Sequence, residues 1–302
     1  MPDHPVPLFL NPTAGRGRAG RRLERLGAVF GEQGVAITVV ASKAMGDIEA
    51  QVAQHVAAGA KRLIVAGGDG SVHEAVNGLL AAGGKAALGV IPIGTGNDFA
   101  KACGITLDWQ QAARELAQRI AAGTATRRID VGRMNERYFA NGVGIGFDAK
   151  VTRVARGIRW PIGDVVYLLA ILRCLYDGVA TPELRIENGA DGEELWRGPL
   201  TMASINNGDW VGGMFHIAPM ADNADGRFDL VIAGPVTRPR ILALLPRLIR
   251  GRHLTEAEVL HRVVQSVRVH AAAPIESHLD GEVQPLQTRF NIAVLPGALE
   301  LL

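Results

Sequence analysis

The chain has 302 residues, of which 48% are hydrophobic and 21% are charged, a globular composition that excludes an intrinsically disordered protein. Its 32 basic and 30 acidic residues leave a formal net charge of +2, which excludes a polybasic protein whose whole surface binds nucleic acid, so we expect no nucleic-acid partner. Cys103 and Cys174 have no CxxC or Cys/His companion, so neither a disulfide scaffold nor a zinc site is expected. With no secretory signal and no apolar stretch of about 18 residues, we expect a cytoplasmic protein that is at most peripheral to the inner face of a membrane.

The first third of the chain alternates between apolar runs and helical patterns. Apolar runs at residues 6–10, 37–41, 63–66 and 88–93 predict four strands, and Pro12 ends the first because proline has no amide hydrogen to donate. Apolar residues at helical spacing follow the first two runs, and after the third run a helix is predicted to start near Ser71. Strands that alternate with helices predict a mainly parallel α/β sheet.

Beyond about residue 122 the pattern becomes that of a β-rich domain. A hairpin is predicted over residues 127–146 with its turn near Asn135–Glu136, and one helix is predicted over residues 163–176. Turn signals separate the remaining strands, at Asn188–Gly189, Asn207–Gly208, Asp225–Gly226 and Asp280–Gly281. We therefore expect an α/β domain at residues 1–125 and a sandwich or distorted barrel at residues 126–302, with a last strand that can return to the first domain.

Four loops follow the carboxyl ends of the predicted strands, at residues 11–17, 42–47, 67–71 and 94–98. In an open α/β sheet, ligands bind beyond these strand ends. Three of the loops are rich in glycine together with Asn, Asp, Ser or Thr. Glycine lets the backbone approach a ligand closely, and amides at a helix N-terminus bind anions, so the loops together predict a nucleotide-phosphate site.

Other interpretations of these loops fit less well. The glycines at positions 15, 17 and 20 match GxGxxG, but residues 11–14 separate them from the first strand, and the strand at 37–41 does not end in the acidic residue that a Rossmann dinucleotide site needs. No GxxxxGK[ST] sequence occurs, which excludes an ordinary P-loop enzyme. Ser71 with Glu74 fits the capping box of a helix start, but that explanation leaves three glycines around Asp69 unexplained.

The glycine-rich loops belong to a longer series of motifs. The series runs through Asn11-Pro12-Thr13-Ala14-Gly15, residues 67–71, residues 92–100, residues 129–132, residues 139–148, residues 217–221, Asp225-Gly226 and Asp280-Gly281-Glu282. In this order, over nearly the full chain, these segments resemble the diacylglycerol kinase catalytic domain family, and in particular its soluble bacterial lipid kinases, relatives of sphingosine and ceramide kinases. Ser71 departs from the threonine usual in the family but keeps the hydroxyl group.

The resemblance implies an α/β N-terminal nucleotide-binding domain similar to those of phosphofructokinases and NAD kinases, a C-terminal all-β sandwich domain, and an active site in the cleft between them. It also implies ATP as the co-substrate. The residues that it assigns to ATP are Asn11, Pro12, Thr13, Ala14, Gly15, Ser42, Gly68, Asp69, Gly70, Ser71, Val72, His73, Glu74, Thr95, Asn97 and Asp98, with Ser42 placed by spacing alone. Asp69 and Asp98 would also help to hold a catalytic Mg²⁺, which neutralises charge on the transferring phosphoryl group.

An acidic segment at residues 222–229 has three carboxylates within eight residues, which suits a hard cation, although its spacing excludes an EF-hand. A simple turn between strands is the alternative. The resemblance places a structural Mg²⁺ here, bound by the carboxylate of Asp225 and by backbone carbonyls near Asp222 and Arg227.

The Asp280-Gly281-Glu282 segment by itself predicts a hairpin turn. The resemblance makes this turn catalytic, with Glu282 as the general base that accepts the proton of a lipid hydroxyl, and Asp280 beside it. By contrast, His73, His216, His270 and His278 show no metal-ligand spacing, so we expect ordinary core or surface roles for them.

The expected function is that of an ATP-dependent lipid kinase that phosphorylates a lipid hydroxyl, such as that of diacylglycerol to yield phosphatidic acid. Phosphatidylglycerol, a monoacylglycerol and a sphingoid base remain open as acceptors. The alternatives are an NAD kinase, which shares the GGDG sequence, and a nucleotide-binding regulator without catalysis. The expected partner is a lipid substrate presented at a membrane surface, and the resemblance also implies a homodimer.

Residues 236–253 carry five arginines and no acidic residue, interleaved with aliphatic residues. Such a stretch is typical of a segment that lies on an anionic membrane. The alternative is a helix whose aliphatic side packs on the β domain while its arginines face water. We favour this alternative because Pro246 interrupts the helical pattern and the aliphatic residues are needed in a core.

Overall fold

The structure is a computed structural model that describes residues 5–12, 22–158 and 165–302. The chain divides into two compact units, Met1–Ile129 with Gly297–Leu302, and Asp130–Pro296. In the described part of the chain, the helices lack the length and apolar character needed to cross a membrane.

The first unit is built around a parallel sheet, as the alternating pattern predicts. Its elements in chain order are β1 Val6–Leu10, α1 Leu23–Glu32, β2 Ile37–Ala41, α2 Asp47–Ala57, β3 Arg62–Gly67, α3 Asp69–Ala81, β4 Ala87–Pro92, α4 Asp98–Ala102 and α5 Trp109–Ala121. The strand order is β2-β1-β3-β4, with parallel pairing throughout. The end of the last strand of the chain, β16 (Gln287–Leu301), adds to this sheet, where Glu300 and Leu301 pair in parallel with Ala87 and Leu88.

The strands of this sheet are buried because helices cover it. Strand β4 is buried along its whole length, and β3 in all but its first residue, which explains their nearly continuous apolar sequences. Leu8, Ile64, Phe30 and Leu116 are buried together in one core cluster formed by strands and helices. Asp108 is the N-cap residue of helix α5, and its carboxylate accepts hydrogen bonds from the amides of residues 110 and 111.

The second unit is a β-sandwich with helices. Its elements are β5 Arg127–Met134, β6 Arg137–Phe139, β7 Gly142–Gly146, α6 Phe147–Gly157, α7 Val165–Asp177, β8 Glu183–Asn188, β9 Glu194–Pro199, β10 Met202–Asn206, β11 Phe228–Ala233, α8 Arg238–Ile249, β12 Val259–Val264, β13 Ser266–Ile275, β14 Ser277–Leu279, β15 Glu282–Val283 and β16. One sheet has the order β16-β13-β8-β9, with β5 and β6 attached through β16, and the other has the order β12-β11-β10-β7-β14-β15. Phe139, Phe228 and Phe290, from different strands, are buried in the core cluster that the two sheets share.

Several predicted turns of the second unit are confirmed. Strands β5 and β6 pair as an antiparallel hairpin around Asn135, which has a positive φ of 52°. Asn188 ends β8 ahead of the turn into β9, and Asp280–Gly281 joins β14 to β15 with φ values of 50° and 84°. The predicted hairpin is shorter than expected, because residues 142–146 form β7 in the other sheet.

Helix α6, which the sequence analysis did not identify, follows directly from the glycine-rich strand β7. Phe147, Val151 and Ala155 are buried at helical spacing and pack in one cluster with residues of α7 and α8. Gly146, with a φ of 86°, allows the abrupt change of direction from strand to helix. The predicted helix over residues 163–176 corresponds to α7, and residues 163 and 164 lie outside the described part.

Helix α8 is the segment with interleaved arginines. Its residues Leu244, Leu245 and Leu248 pack against the cluster that includes α6 and α7, whereas Leu242 and Ile249 are exposed. Arg240 and Arg247 form ion pairs with acidic residues of the following loop, Glu256 and Glu258. The packed aliphatic side supports the interpretation of α8 as a helix bound to the β domain.

Candidate active site

The carboxyl ends of the four parallel strands of the first unit lie at one edge of the sheet, where each strand is followed by one of the predicted loops. The amide of Ser42 donates to the carbonyl of Leu10 (2.9 Å), and the amide of Ile93 donates to the carbonyl of Gly67 (2.9 Å). The loops that follow neighbouring strands therefore start side by side. The predicted ATP-binding residues that follow strand ends at this edge are Asn11, Pro12, Ser42, Gly68, Asp69, Gly70 and Thr95. Thr13, Ala14 and Gly15, as well as the GxGxxG match at residues 15–20, lie outside the described residues.

The loops that follow β3 and β4 touch through two glycines. A Cβ atom on Gly68 would lie 3.0 Å from the Cα of Gly94, and a Cβ atom on Gly94 would collide with the Cα of Gly68. Only glycine at both positions allows this approach of two backbones. Neither loop therefore carries a side chain of its own at these two points, which leaves the backbone open to the close approach that a phosphate group requires.

Polar side chains fix the two loops. The carboxylate of Asp69 accepts a hydrogen bond from the amide of Phe99 (3.1 Å), which links the start of α3 to the start of α4. The side chain of Asn97 both accepts from the amide of Gly94 (3.0 Å) and donates to its carbonyl (3.2 Å), so it shapes the loop after β4. Asp98 is buried and forms an ion pair with Lys101 (3.5 Å).

The capping-box interpretation of Ser71 and Glu74 is wrong. Helix α3 begins at Asp69 with Gly68 as its N-cap residue, so Ser71 lies inside the first turn and is not a cap. Glu74 accepts a hydrogen bond from the amide of Ile48 at the start of α2 (3.1 Å).

Two of the predicted ATP-binding residues on α3, Val72 and His73, are almost completely buried. The carbonyl of His73 accepts a hydrogen bond from the side-chain amide of Asn77 (2.9 Å). Within residues 68–74, the positions that the structure leaves partly exposed are therefore Gly68, Asp69, Gly70 and Glu74, and Glu74 already binds the start of α2.

In the second unit, Asp280 is bound to the connection between β6 and β7. One oxygen of its carboxylate accepts the amide of Ala140 (2.9 Å), and the other accepts the amides of Asn141 (2.8 Å) and Gly142 (3.0 Å). Hydrogen bonds from backbone amides to a carboxylate are charge-assisted and strong. Asp280 therefore holds the β14–β15 turn in place, a structural role next to Glu282.

Glu282 follows this turn as the first residue of β15. Its carboxylate forms an ion pair with the guanidinium of Arg156 on α6, and the same guanidinium donates to the carbonyl of Gly281 (3.0 Å). The side chain of Glu282 is 27% exposed, so it is accessible to a ligand. The turn thus presents an accessible carboxylate that one arginine holds in position.

The acidic loop before β11 is held by short-range hydrogen bonds. Asp222 accepts the amide of Ala224 (3.0 Å), Asp225 accepts the amide of Arg227 (2.9 Å), and all three of Asp222, Asp225 and Arg227 are exposed. Among the described residues, no group of three His, Cys, Asp or Glu side chains is arranged to hold a metal ion. A cation bound here would therefore take main-chain carbonyl oxygens beside a carboxylate.

Asp130 connects this loop to the sandwich. Its carboxylate accepts the amide of Gly226 (2.6 Å), and its own amide donates to the carbonyl of Asn223 (2.7 Å). Asp229 lies on β11, directly after this loop. Burial raises the pKa of its carboxyl group, while a hydrogen bond from His261 (2.5 Å) acts in the opposite direction.

The sequence analysis assigned no role to Arg156 or Asp148 and expected an ordinary core or surface role for His278. These three residues lie around the turn at residues 280–282. Asp148 lies in the motif at residues 139–148, and His278 lies two residues before Asp280. Their positions in or near a motif are the feature of the sequence that could have identified both as candidate site residues. Arg156 carries no such signal, because its contact with Glu282 spans 126 residues of the chain.

Comparison with known families covers nearly the whole chain. Residues 5–134 match the diacylglycerol kinase catalytic domain, and residues 141–302 match the YegS C-terminal NAD kinase beta sandwich-like domain. A diacylglycerol kinase of Bacillus subtilis (strain 168) is 30% identical over 279 residues, which cover 91% of this chain and 88% of that protein. A diacylglycerol kinase of Mycobacterium tuberculosis (strain ATCC 25618 / H37Rv) is 32% identical over 304 residues, 98% of this chain and 94% of that protein. A probable lipid kinase YegS-like of Pseudomonas aeruginosa (strain UCBPP-PA14) is 32% identical over 258 residues, 85% of this chain and 81% of that protein.

Solved structures share the fold. A putative diacylglycerol kinase from Bacillus anthracis str. Sterne has a TM-score of 0.79 at 24% identity, with 98% of this chain and 96% of that chain covered. An NAD kinase from Archaeoglobus fulgidus in complex with ATP has a TM-score of 0.52 at 12% identity, with 96% of this chain and 92% of that chain covered, which is a likeness of fold alone. The chain therefore belongs to the family of the diacylglycerol kinases and YegS-like lipid kinases, and it is an ATP-dependent lipid kinase.

Proposed function

We propose that this lipid kinase transfers the γ-phosphoryl group of ATP to the hydroxyl group of diacylglycerol, with phosphatidic acid and ADP as products. The observation that carries the proposal is that two relatives, each aligned over about nine-tenths of its length, are named diacylglycerol kinases. A monoacylglycerol, phosphatidylglycerol and a sphingoid base are the competing acceptors, because the relative from Pseudomonas aeruginosa is named only as a probable lipid kinase.

The phosphates of ATP would bind at the sheet edge of the first unit. Support comes from the close approach of Gly68 and Gly94, and from the N-terminus of α3, a helix of 13 residues whose dipole favours an anion at this end. The exposed hydroxyl of Thr95 is a further donor at the same edge. Asn97 would act indirectly, by holding the loop in the shape that presents these groups.

Mg²⁺ fits the donors at this edge, since Asp69 and Asp98 are carboxylates and hard cations bind carboxylate oxygen. When bound, the metal would neutralise charge on the phosphoryl group that is transferred. Asp69 also holds the two loops together through Phe99, so its replacement would affect both loop position and metal binding. Lys101 lies beside Asp98 and reduces the net negative charge there.

Glu282 is the proposed general base. The hydroxyl proton of the lipid would pass to its carboxylate while the oxygen of the lipid forms a bond to the γ-phosphorus and the bond from that phosphorus to the β–γ bridging oxygen breaks. The ion pair with Arg156 holds the carboxylate in one position beside the turn. Asp280, by binding three backbone amides, would keep the turn that carries Glu282 in one conformation.

A structural Mg²⁺ is proposed at the loop before β11. The carboxylate of Asp225 and main-chain carbonyls near Asp222 and Arg227 form an all-oxygen donor set, which fits a hard cation. The exposure of this loop supports access for a hydrated ion. The role would be to stabilise the loop that also contacts Asp130.

The lipid substrate requires contact with a membrane, because a diacyl lipid does not diffuse freely through water. The exposed residues Leu242 and Ile249 on α8, with Arg250 next to them, form an apolar and basic surface that supports a peripheral contact at the inner face of the membrane. The homodimer implied by the family resemblance belongs to the same proposal, and sedimentation equilibrium tests it.

The experiment that tests the proposal is a kinase assay with radiolabelled ATP and a panel of acceptors, resolved by thin-layer chromatography. The panel contains diacylglycerol, a monoacylglycerol, phosphatidylglycerol, sphingosine and NAD. Labelled phosphatidic acid as the main product is the expected result. Preference for another lipid would correct the acceptor, and labelling of NAD alone would overturn the proposed function.

A further inference from the structure

His278 is a buried histidine that lies between helix α6 and the turn at residues 280–282. One ring nitrogen, Nε2, is 3.1 Å from the carboxylate of Asp148, and the other, Nδ1, accepts a hydrogen bond from the amide of Gly281 (3.2 Å). The side chain of His278 is 4% exposed and that of Asp148 is 12% exposed, so water competes little for these bonds. Two buried hydrogen bonds thus join α6 to the residue directly before Glu282.

The hydrogen-bond partners determine the tautomer of the ring. A backbone amide can only donate, so Nδ1 must be the unprotonated acceptor. In the neutral imidazole the hydrogen then lies on Nε2, which donates to the carboxylate of Asp148. Asp148 therefore selects the tautomer that leaves Nδ1 free to bind Gly281.

The neighbouring strand β7 makes room for this pair. His278 lies opposite Gly144 in the antiparallel pairing of β14 with β7. A Cβ atom at Gly144 would collide with both the carboxylate of Asp148 and the ring of His278. Any side chain at position 144 would thus displace the pair.

Helix α6 contacts the same segment at two further points. Arg153 donates to the carboxylate of Glu276 (3.0 Å), and Arg156 contacts Glu282 and the carbonyl of Gly281. Helix α6 therefore binds the segment from Glu276 to Glu282 through three side chains, those of Asp148, Arg153 and Arg156. Of these contacts, the one through His278 is the most buried.

We propose that Asp148 and His278 are positioning residues for Glu282, an inference that rests on the proposed function of Glu282 as the general base. Asp148 orients the ring of His278, and His278 binds the amide of Gly281, which places the next residue. Neither side chain needs to touch the substrate. The pair controls the conformation of the turn and thereby the position of the Glu282 carboxylate. Proton transfer depends steeply on the distance and angle between the base and the hydroxyl group.

Two substitutions at position 278 separate the two hydrogen bonds. In His278→Asn, the side-chain oxygen can take the place of Nδ1 and accept the amide of Gly281, while the bond to Asp148 is lost. In His278→Gln, the side-chain NH₂ can take the place of Nε2 and donate to Asp148, while the bond to Gly281 is lost. If the pair positions Glu282, His278→Gln should lower kcat by about 10- to 100-fold relative to His278→Asn, with the KM for ATP nearly unchanged.

The measurement combines steady-state kinetics on the lipid that the wild-type enzyme accepts with thermal unfolding of each variant. His253→Asn is the matched control, because His253 is also a buried histidine of the second unit, and its turnover should equal that of the wild type. Asp148→Asn should lower kcat as His278→Gln does, because an amide at position 148 no longer selects the Nε2–H tautomer. The ¹⁵N chemical shifts of His278 in the wild type should show a protonated Nε2 and an unprotonated Nδ1.

Equal kcat values for the two variants at position 278, or an Nδ1–H tautomer in the wild type, would overturn the inference while the lipid kinase activity stands. A wild-type enzyme that phosphorylates no member of the lipid panel would instead overturn the proposed function, and this inference with it.

Discussion

The carboxylate of Glu282 is paired with the guanidinium of Arg156, and the two residues come from β15 and α6, elements that are far apart in the sequence. The pairing holds a partly exposed carboxylate next to a turn whose backbone is fixed by Asp280. Because the charged form of a carboxylate is the form that accepts a proton, this relationship is the structural basis for the first prediction.

Replacing Glu282 with glutamine keeps the size of the side chain but removes the proton acceptor. The kcat of Glu282→Gln should fall by about 10²- to 10⁴-fold, the usual loss when a general base is removed, with little change in the KM for ATP. Glu194→Gln is the control, since Glu194 is also a glutamate of the second unit that pairs with an arginine, and it lies on β9, away from this turn. Normal turnover in Glu282→Gln would remove this residue from the mechanism.

The second prediction concerns the glycine contact at the sheet edge. Gly94→Ala adds a methyl group that collides with the backbone of Gly68, so the two loops must separate. The kcat/KM for ATP should fall by about 10- to 100-fold, as is typical when binding groups are displaced by about 1 Å. Isothermal titration with a non-hydrolysable ATP analogue should show the same loss in affinity.

Gly27→Ala is the matched control for that substitution. Gly27 lies inside helix α1, and a Cβ atom there meets nothing within 4 Å. Alanine should raise stability by about 0.5–1 kcal/mol, because glycine is unfavourable inside a helix. A Gly94→Ala variant that binds ATP as well as Gly27→Ala does would show that the phosphates bind elsewhere.

The third prediction concerns the proposed structural Mg²⁺. Asp225→Ala should lower the Tm and should abolish the rise in Tm that Mg²⁺ produces in the wild type, since a ligand that binds only the folded state stabilises it. Differential scanning fluorimetry over a range of Mg²⁺ concentrations measures both effects.

Asp191→Ala is the control for the metal loop, because Asp191 is likewise an exposed aspartate that accepts a backbone amide two residues on (2.9 Å). Its variant should keep the full response to Mg²⁺. If Asp225→Ala also keeps that response, the loop before β11 is a turn and not a metal site.

The fourth prediction is a pH dependence of stability. Burial lowers the pKa of His253, and the nearby His216 and His261 lower it further, while the backbone of Ile217 acts in the opposite direction. The folded state therefore binds fewer protons at this position than the unfolded state once the pH falls below about 6.5. Stability should be lost as the pH falls from about 6.5 towards the lower pKa of the folded state.

Thermal unfolding at about pH 7.5 and about pH 5.5, on either side of the usual histidine pKa, tests this prediction. The decrease in Tm should be smaller in His253→Asn than in the wild type. His270→Asn should behave like the wild type, because His270 is exposed. An undiminished decrease in His253→Asn would assign the acid sensitivity to other groups.

The fifth prediction concerns membrane contact through α8. Because Arg247 is already paired with Glu256, the exposed Arg250 and Arg252 are the better positions for charge reversal. Arg250→Glu with Arg252→Glu should reduce sedimentation with anionic vesicles, and added salt should have the same effect on the wild type. Activity on a short-chain soluble lipid should remain.

The control for the membrane experiment is Arg262→Glu with Arg289→Glu, two exposed arginines on strands of the second unit. This variant should sediment with vesicles as the wild type does. If the Arg250→Glu with Arg252→Glu variant binds vesicles as well as the control variant and the wild type do, the membrane contact lies on another surface.

The sequence by itself determined the features that depend on a few neighbouring residues. The strands β1 to β4 follow from short apolar runs, and the turns at Asn135 and Asp280 follow from residues that accept a positive φ. The order of the glycine-rich and acidic motifs was sufficient to predict the family and the two kinds of domain. The strand and turn signals are local, and the order of the motifs lies along the chain itself, so both can be identified without knowledge of the sheet order.

The tertiary structure alone decided which distant residues meet. Asp69 binds Phe99 across 30 residues, Asp280 binds Asn141 across 139, and His278 lies beside Asp148 across 130. These pairs depend on the strand order and register within each unit, which bring segments that are far apart in the sequence next to each other. No periodicity or spacing within one segment carries that information, and for this reason the contacts of Asp148, Arg156 and His278 became visible only in the folded chain.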